Sequence, residues 1–176
     1  NSENETPITY ACKYNNLDAL IILIEAGANI TVEAGNIAAL HGNTNVVKYL
    51  VDGHLVQSAV LMEIAVKCGC MDIVEFMVSR FNINELDLEK ALLAACKYGQ
   101  ADLATYLLTF PLQVDVPDLY GHTPLFFAVS KNMLSVVKLL YVAGANMHFE
   151  NINKDTPFIL ALKKKGEIID FFMDVQ

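Results

Sequence analysis

The sequence has no tryptophan, little charge and no long hydrophobic run. Its longest apolar candidate is ALIILI at 19–24, well short of the roughly 20 residues that span a bilayer. The N-terminus has neither a basic region nor a hydrophobic signal core. Of the 176 residues, 54% are hydrophobic and only 18% are charged. The apolar side chains must therefore be ordered onto buried faces, and we expect no direct membrane insertion.

The four cysteines do not follow the spacing of a small disulfide scaffold. They are Cys12, Cys68, Cys70 and Cys96. The CGC at 68–70 lacks a second Cys or His pair at ligand spacing, so no metal site is predicted. The pattern favours a reducing, intracellular compartment, which we take to be the cytoplasm, with the nucleus as the alternative.

Motifs that carry catalysis or bind a cofactor are also missing. The sequence contains no GxxxxGK[ST], GxGxxG, HExxH or GxSxG. The histidines are scattered without a nearby carboxylate and nucleophile, at His41, His54, His122 and His148. We therefore predict no enzyme and no cofactor. A helical enzyme domain is the rival reading, and it would need an essential polar cluster.

Three short segments repeat one pattern: TPITYAC at 6–12, TPLFFAV at 123–129 and TPFILAL at 156–162. Threonine can cap the free N–H groups at the start of a helix, and proline fits the first helical position. Each Thr-Pro therefore predicts a helix start. The last two starts are 33 residues apart, a period typical of stacked helical repeats.

When the threonine of each Thr-Pro is counted as position zero, the same pattern appears in the middle of the chain. Position plus five is an alanine in six units: Ala11, Ala38, Ala65, Ala95, Ala128 and Ala161. Positions plus thirteen and plus seventeen are apolar throughout: Ala19, Val46, Ile73, Leu103, Val136 and Ile169, then Leu23, Leu50, Met77, Leu107, Leu140 and Met173. Gly or Asn breaks each unit into two helices, at or near Asn15, Gly42, Gly69, Gly99, Asn132 and Gly166. We predict that small residues at plus five let first helices approach closely, and that plus thirteen and plus seventeen fill the layer between the two helices.

The chain resembles the ankyrin-repeat family. The best matches are GHTPLFFAVSKNMLSVVKLLYVAGAN at 121–146 and ETPITYACKYNNLDALIILIEAGAN at 5–29. The resemblance implies an all-α solenoid of stacked helix-turn-helix units, starting near 6, 33, 60, 90, 123 and 156. Other helical arrays, such as tetratricopeptide or HEAT repeats, lack the Thr-Pro opening and usually run longer; they are the alternative fold.

The resemblance also predicts where loops project. The spacings of 27, 27, 30, 33 and 33 leave room for full β-hairpin loops only at about 111–122 and 145–155, mainly in the C-terminal half. The family's usual His, fourth in the motif, is replaced by Thr9, Asn36, Glu63, Leu93, Phe126 and Ile159. We expect one ankyrin domain over 1–176. Because the sequence starts without Met, we expect it to be a piece of a longer protein.

Charge is distributed unevenly over the predicted helices. The six first-helix windows hold seven of the twelve basic residues, namely Lys13, Lys67, Lys90, Lys97, Lys131, Lys163 and Lys164, but of the acidic ones only Glu33 and Glu63. In the family, first helices line the concave face, so this chain of net charge −8 is predicted to carry a basic inner stripe. The alternative is that lysines near helix ends only interact with the helix dipole.

The resemblance implies a non-catalytic module that binds another protein through its concave face and hairpin tips. The predicted site comprises Lys97, Tyr98, Leu119, Tyr120, His122, Lys131, Ile152, Asn153, Lys163 and Lys164. These side chains suit an acidic segment with apolar anchors. Net acidity and the absence of a continuous aromatic platform argue against nucleic acid. The alternative function is a structural or regulatory arm of a larger channel, transferase or effector; no oligomeric state is indicated.

Overall fold

A computed structural model describes residues 6–53, 58–81 and 83–175, which form twelve helices and no β-strand. The first helices of the six repeats are α1 (Pro7–Lys13), α3 (Val32–Leu40), α5 (Ser58–Cys68), α7 (Glu85–Tyr98), α9 (Pro124–Ser130) and α11 (Pro157–Lys164). The second helices are α2 (Leu17–Glu25), α4 (Thr44–Asp52), α6 (Met71–Arg80), α8 (Ala101–Leu107), α10 (Leu134–Val142) and α12 (Glu167–Asp174). None of these helices is long and apolar enough to span a membrane.

The three Thr-Pro pairs start helices as predicted. Thr6, Thr123 and Thr156 are the N-caps of α1, α9 and α11, and a proline follows each of them. The threonine hydroxyls accept hydrogen bonds from N–H groups three residues on, at 3.2, 3.3 and 3.1 Å. Such bonds satisfy one of the four N–H groups that a helix start leaves unpaired.

The chain divides into two compact units, residues 1–82 and 83–176. In the first unit α1, α3 and α5 pack side by side, and each contacts the second helix of its own repeat. In the second unit α7, α9 and α11 pack in the same way, with α8, α10 and α12 behind them. Each unit therefore consists of two helical layers.

The alanine at plus five stands on first helices that pack against one another. All six are buried, with no more than 6% of their surface exposed. The apolar residues at plus thirteen and plus seventeen are fully or almost fully buried in repeats two to five. The predicted packing positions are confirmed there, whereas in the first repeat Ala19 and Leu23 are only half-buried and Leu20 is buried instead.

In the sixth repeat the buried positions are shifted by one residue from the predicted positions plus thirteen and plus seventeen. Met173, predicted to fill the layer between helices, is 59% exposed, and Ile169 is only half-buried. Ile168 and Phe172 are buried instead, one place earlier in the chain. The reason lies in the turn: Lys165 (φ 58°, ψ 174°) and Gly166 (φ 99°) both have positive φ, whereas the other repeats use one such residue there. This two-residue break rotates α12 relative to the predicted register.

The fourth repeat begins its first helix earlier than predicted. Helix α7 starts at Glu85, because the Asn84 side chain accepts a hydrogen bond from the Asp87 N–H at 2.9 Å. The helix therefore carries three acidic residues that the window starting at 90 left out: Glu85, Asp87 and Glu89. The charge asymmetry predicted for the first helices is correspondingly weaker in this repeat.

The long connections are in the second unit, as predicted, but none of their residues forms a β-strand, so they are turns and not the full β-hairpins that were predicted. Residues 108–123 and 143–156 join repeats there, whereas residues 26–31 suffice between α2 and α3. The projecting parts of the long connections are hydrogen-bonded turns at 118–122 and 151–155.

All four cysteines are free thiols. Cys12 and Cys96 are completely buried, and burial raises the pKa of Cys12 to about 11 and that of Cys96 to about 12. Their thiolate forms are therefore disfavoured in the folded chain. The described residues include no group of three or more His, Cys, Asp or Glu that could hold a metal ion. His54 lies outside them.

Replacing Ala95 by leucine should destabilise the fold by about 1–3 kcal/mol, because three extra carbon atoms must enter a filled helix contact. Chemical unfolding measures this loss. Ala94→Leu is the matched control, since Ala94 is the adjacent residue of α7 and is only half-buried. A similar loss for both variants would contradict the assignment of plus five to the contact between helices.

Candidate partner-binding site

All ten predicted site residues lie in the second unit. Five of them are in the turns at 118–122 and 151–155, which lie 33 residues apart and have the same kind of hydrogen bonding. The Asp118 carboxylate accepts hydrogen bonds from the Tyr120 and His122 N–H groups, both at 2.9 Å. The Asn151 side-chain oxygen accepts from Asn153 and Asp155 at 2.8 and 3.0 Å. One buried or half-buried oxygen thus fixes the backbone of each turn.

The two turns are also joined to each other. The Ile152 N–H donates to the Tyr120 carbonyl at 3.1 Å. Nearer the start of the two long connections, the Asn146 N–H donates to the Asp115 carboxylate at 2.9 Å. Gly121 lies at the closest approach with φ of 79°, and a Cβ there would come within 2.9 Å of the Asn151 Cα. The turns therefore form one rigid surface.

We call the surface formed by the turns at 118–122 and 151–155 the paired tips. It exposes apolar side chains. Leu119 is 97% exposed, Tyr120 58% and Ile152 64%. Leu119 and Ile152 occupy the same place in successive turns, and Asn153 is exposed beside Ile152. Large aliphatic groups on fixed, projecting turns are suited to burial against a partner.

His122 is less exposed than its neighbours and links the tips to α9. Its Nδ1 lies 3.3 Å from an Asp118 carboxylate oxygen. Partial burial alone would raise the pKa of Asp118, but N–H donation from His122 and Tyr120, helped by the His122 ring, lowers it below its usual range. The carboxylate is therefore charged at neutral pH and holds both the turn and the imidazole.

Two phenylalanines that sequence reasoning did not include extend the site onto α9. The His122 ring centroid lies 4.5 Å from that of Phe126 and 5.4 Å from that of Phe127. Both rings are half-buried, whereas Ala128, the next residue of α9, is completely buried. The sequence held a signal, because Phe126 replaces the family's usual His.

The predicted lysines fall into two groups. Lys163 and Lys164 are held by internal contacts: the Lys163 Nζ lies 2.6 Å from an Asp155 carboxylate oxygen, and the Lys164 Nζ donates to the Ser130 carbonyl at 2.6 Å. Ser130 is the last residue of α9, so Lys164 caps the end of a neighbouring helix. This contact is made to a neighbouring helix and differs from an interaction of Lys164 with the dipole of its own helix α11.

Lys97 and Lys131 have different surroundings. The Lys97 Nζ lies 5.7 Å from the centre of the Phe127 ring, within the range of a cation–π contact. The Lys131 side chain runs beside Gly99, at the end of α7. Lys97, Tyr98 and Lys131 are all exposed. Among the described carboxylates, none is within ion-pair distance of Lys97 or Lys131.

Comparison with known families agrees with this architecture. The family model described as "Ankyrin repeats (3 copies)" matches residues 61–151, and "Ankyrin repeat" matches residues 3–32. The chain therefore belongs to the ankyrin-repeat family. Ankyrin repeats are protein–protein interaction modules and are typically not enzymes.

Curated relatives include longer proteins. Palmitoyltransferase ZDHHC13 of Homo sapiens is 26% identical over 168 residues, which is 94% of this chain and 24% of that protein. The putative ankyrin repeat protein L271 of Acanthamoeba polyphaga mimivirus is 29% identical over 89 residues, 48% of this chain and 12% of that one. The chain thus spans a quarter or less of the length of these relatives.

One solved structure has the same fold. It is a chain of the complex between the predatory endopeptidase Bd0816 from Bdellovibrio bacteriovorus and the immunity protein Bd3460. The TM-score is 0.81 at 15% sequence identity, over 99% of this chain and 100% of the other. At this identity the likeness concerns the fold alone.

Gly121→Ala should destabilise the second unit by about 1–2 kcal/mol from the positive φ alone, and further because the new methyl group meets Asn151. Gly144→Ala is the matched control: its φ is 91°, but a Cβ there has no neighbour within 4 Å. Denaturant unfolding should show the larger loss for Gly121→Ala. Equal losses would mean that the turns do not touch as described.

Proposed function

We propose that the chain binds another protein through the paired tips and the first helices of its second unit. The observation that carries the proposal is the exposure of Leu119 and Ile152 on turns that are already fixed by hydrogen bonds. Burying exposed aliphatic side chains against a partner lowers the free energy of the complex, because it removes apolar surface from water. Because the turns are ordered beforehand, little conformational entropy is lost on binding.

The exposed lysines support an acidic partner. Lys97 lies in the last turn of α7 and Lys131 is the C-cap of α9, and neither is neutralised by a described carboxylate. Charges of this kind mainly accelerate association with an oppositely charged surface. The partner class is therefore a protein segment with apolar anchors and net negative charge, in a reducing compartment that suits four free thiols.

A second function is favoured by one comparison. The alignment with palmitoyltransferase ZDHHC13 takes in 94% of this chain but only 24% of that protein. This supports the reading of residues 1–176 as one ankyrin domain that serves as a structural or regulatory arm of a larger transferase. The two functions are compatible, since an arm can bind a partner or substrate protein.

Affinity capture followed by mass spectrometry tests the first function. The double variant Leu119→Ser/Ile152→Ser should lose partners that the unchanged chain retains. Ile22→Ser/Val142→Ser is the matched control, because it removes two aliphatic side chains that are 65% and 83% exposed elsewhere. Identical sets of proteins on both variants, or none at several salt concentrations, would refute the proposal; circular dichroism verifies that each variant is folded.

Sequencing the full transcript tests the second function. We expect an open reading frame that continues beyond this chain and encodes a transferase domain. A reading frame without such a domain would rule out the transferase arm.

A further inference from the structure

The first helices of the second unit carry an apolar band that the packing does not bury. Positions plus three and plus four of each repeat lie just before the buried alanine and are half-buried in all three helices. They are Leu93, Ala94, Phe126, Phe127, Ile159 and Leu160. Five of these six residues are large and apolar, whereas an exposed helix face is ordinarily polar.

A continuous path of ring contacts joins this band to the tips at one end. Tyr120 and His122 have ring centroids 6.2 Å apart, and His122 in turn lies against Phe126 at 4.5 Å. At the other end, Phe127 lies under the Lys97 ammonium at 5.7 Å. The site therefore changes from apolar to basic along α9, from the tip at its N-terminus to Lys131 at its C-terminus.

Internal contacts restrict the basic end to two lysines. Lys163 is paired with Asp155, and Lys164 with the Ser130 carbonyl, so that binding an acidic group there would first break an existing contact. Lys97 and Lys131 require no such exchange. Charge complementarity thus selects the ends of α7 and α9 and not the end of α11.

We propose that the first-helix face of the second unit binds a protein segment in one polarity. Apolar side chains of the segment lie on Tyr120, His122, Phe126 and Phe127, and acidic side chains contact Lys97 and Lys131. This inference rests on the proposed function and specifies the direction in which the same site binds its partner. Along α9, from its N-cap Thr123 beside His122 to its C-cap Lys131, the distance is about 12 Å at 1.5 Å per residue. It corresponds to about four residues of an extended segment or about eight of a helical one.

Selection from a displayed library of random sixteen-residue peptides on the whole immobilised chain tests the polarity. We expect enriched peptides to combine an aromatic or aliphatic residue with Asp or Glu at one preferred separation, about four or about eight positions. Enriched peptides with no acidic residue, or with no preferred separation, would overturn the proposal. So would the absence of any enriched peptide, while the capture experiment decides independently whether the chain binds proteins through its tips.

Charge reversal at the two lysines locates the basic end. Lys97→Glu/Lys131→Glu should weaken binding of an enriched peptide about tenfold and reduce its dependence on salt. Lys48→Glu/Lys138→Glu is the matched control: it changes net charge equally, and these lysines also lie over aromatic rings, Phe76 and Phe171, but on second helices. Equal weakening by both double variants would show only a general charge effect and overturn the proposal. Weakening by Lys163→Gln but not by Lys97→Glu/Lys131→Glu would also overturn it.

Discussion

Close packing of neighbouring first helices is the constraint on which each unit depends. Every first helix carries an alanine at plus five, and none of the six has more than 6% of its surface exposed. A larger side chain would separate the helices, and the loops that lead into them would separate as well. The hydrogen bond between Ile152 and Tyr120 is 3.1 Å long, so it can form only while α9 and α11 keep their close spacing. The rigidity of the paired tips therefore originates in the helix contact beneath them.

Stacking also solves a polar problem that each first helix creates. The last carbonyls of a helix have no partner within it, and here the following repeat supplies one. The Asn43 side chain donates to the Cys12 carbonyl at 2.6 Å, the Cys70 thiol to that of Ala39 at 3.6 Å, and Lys164 to that of Ser130. Three different side chains perform one task, so this role cannot be recognised from residue type.

The sequence was sufficient for the repeat register because the buried alanine and the Thr-Pro caps depend on local chemistry. It was insufficient where a turn changed the register: nothing in the spacing distinguishes Met173 from Phe172 until Lys165 and Gly166 are both seen to have positive φ. The early start of α7 was missed because Asn84 caps it without a Thr-Pro signal. For the site, exposure of Leu119 followed from its place in a long loop. The contact of His122 with Phe126 and Phe127 did not, since it depends on how the loop folds back onto α9.

The lysines show why composition alone cannot define a binding surface. Four of them occupy similar places near the ends of first helices, and by charge they are equivalent. Their surroundings make them unequal: Lys163 and Lys164 have acceptors in the same unit, Lys97 lies over a ring, and Lys131 runs beside Gly99. The aliphatic part of Lys131 lies beside Gly99, with its Cδ and Cγ 3.8 and 3.9 Å from where a Cβ of residue 99 would be, and the residue is otherwise exposed. A lysine whose stem lies along the protein loses less side-chain entropy when an acidic group binds it, which gives the ends of α7 and α9 an advantage that the end of α11 does not have.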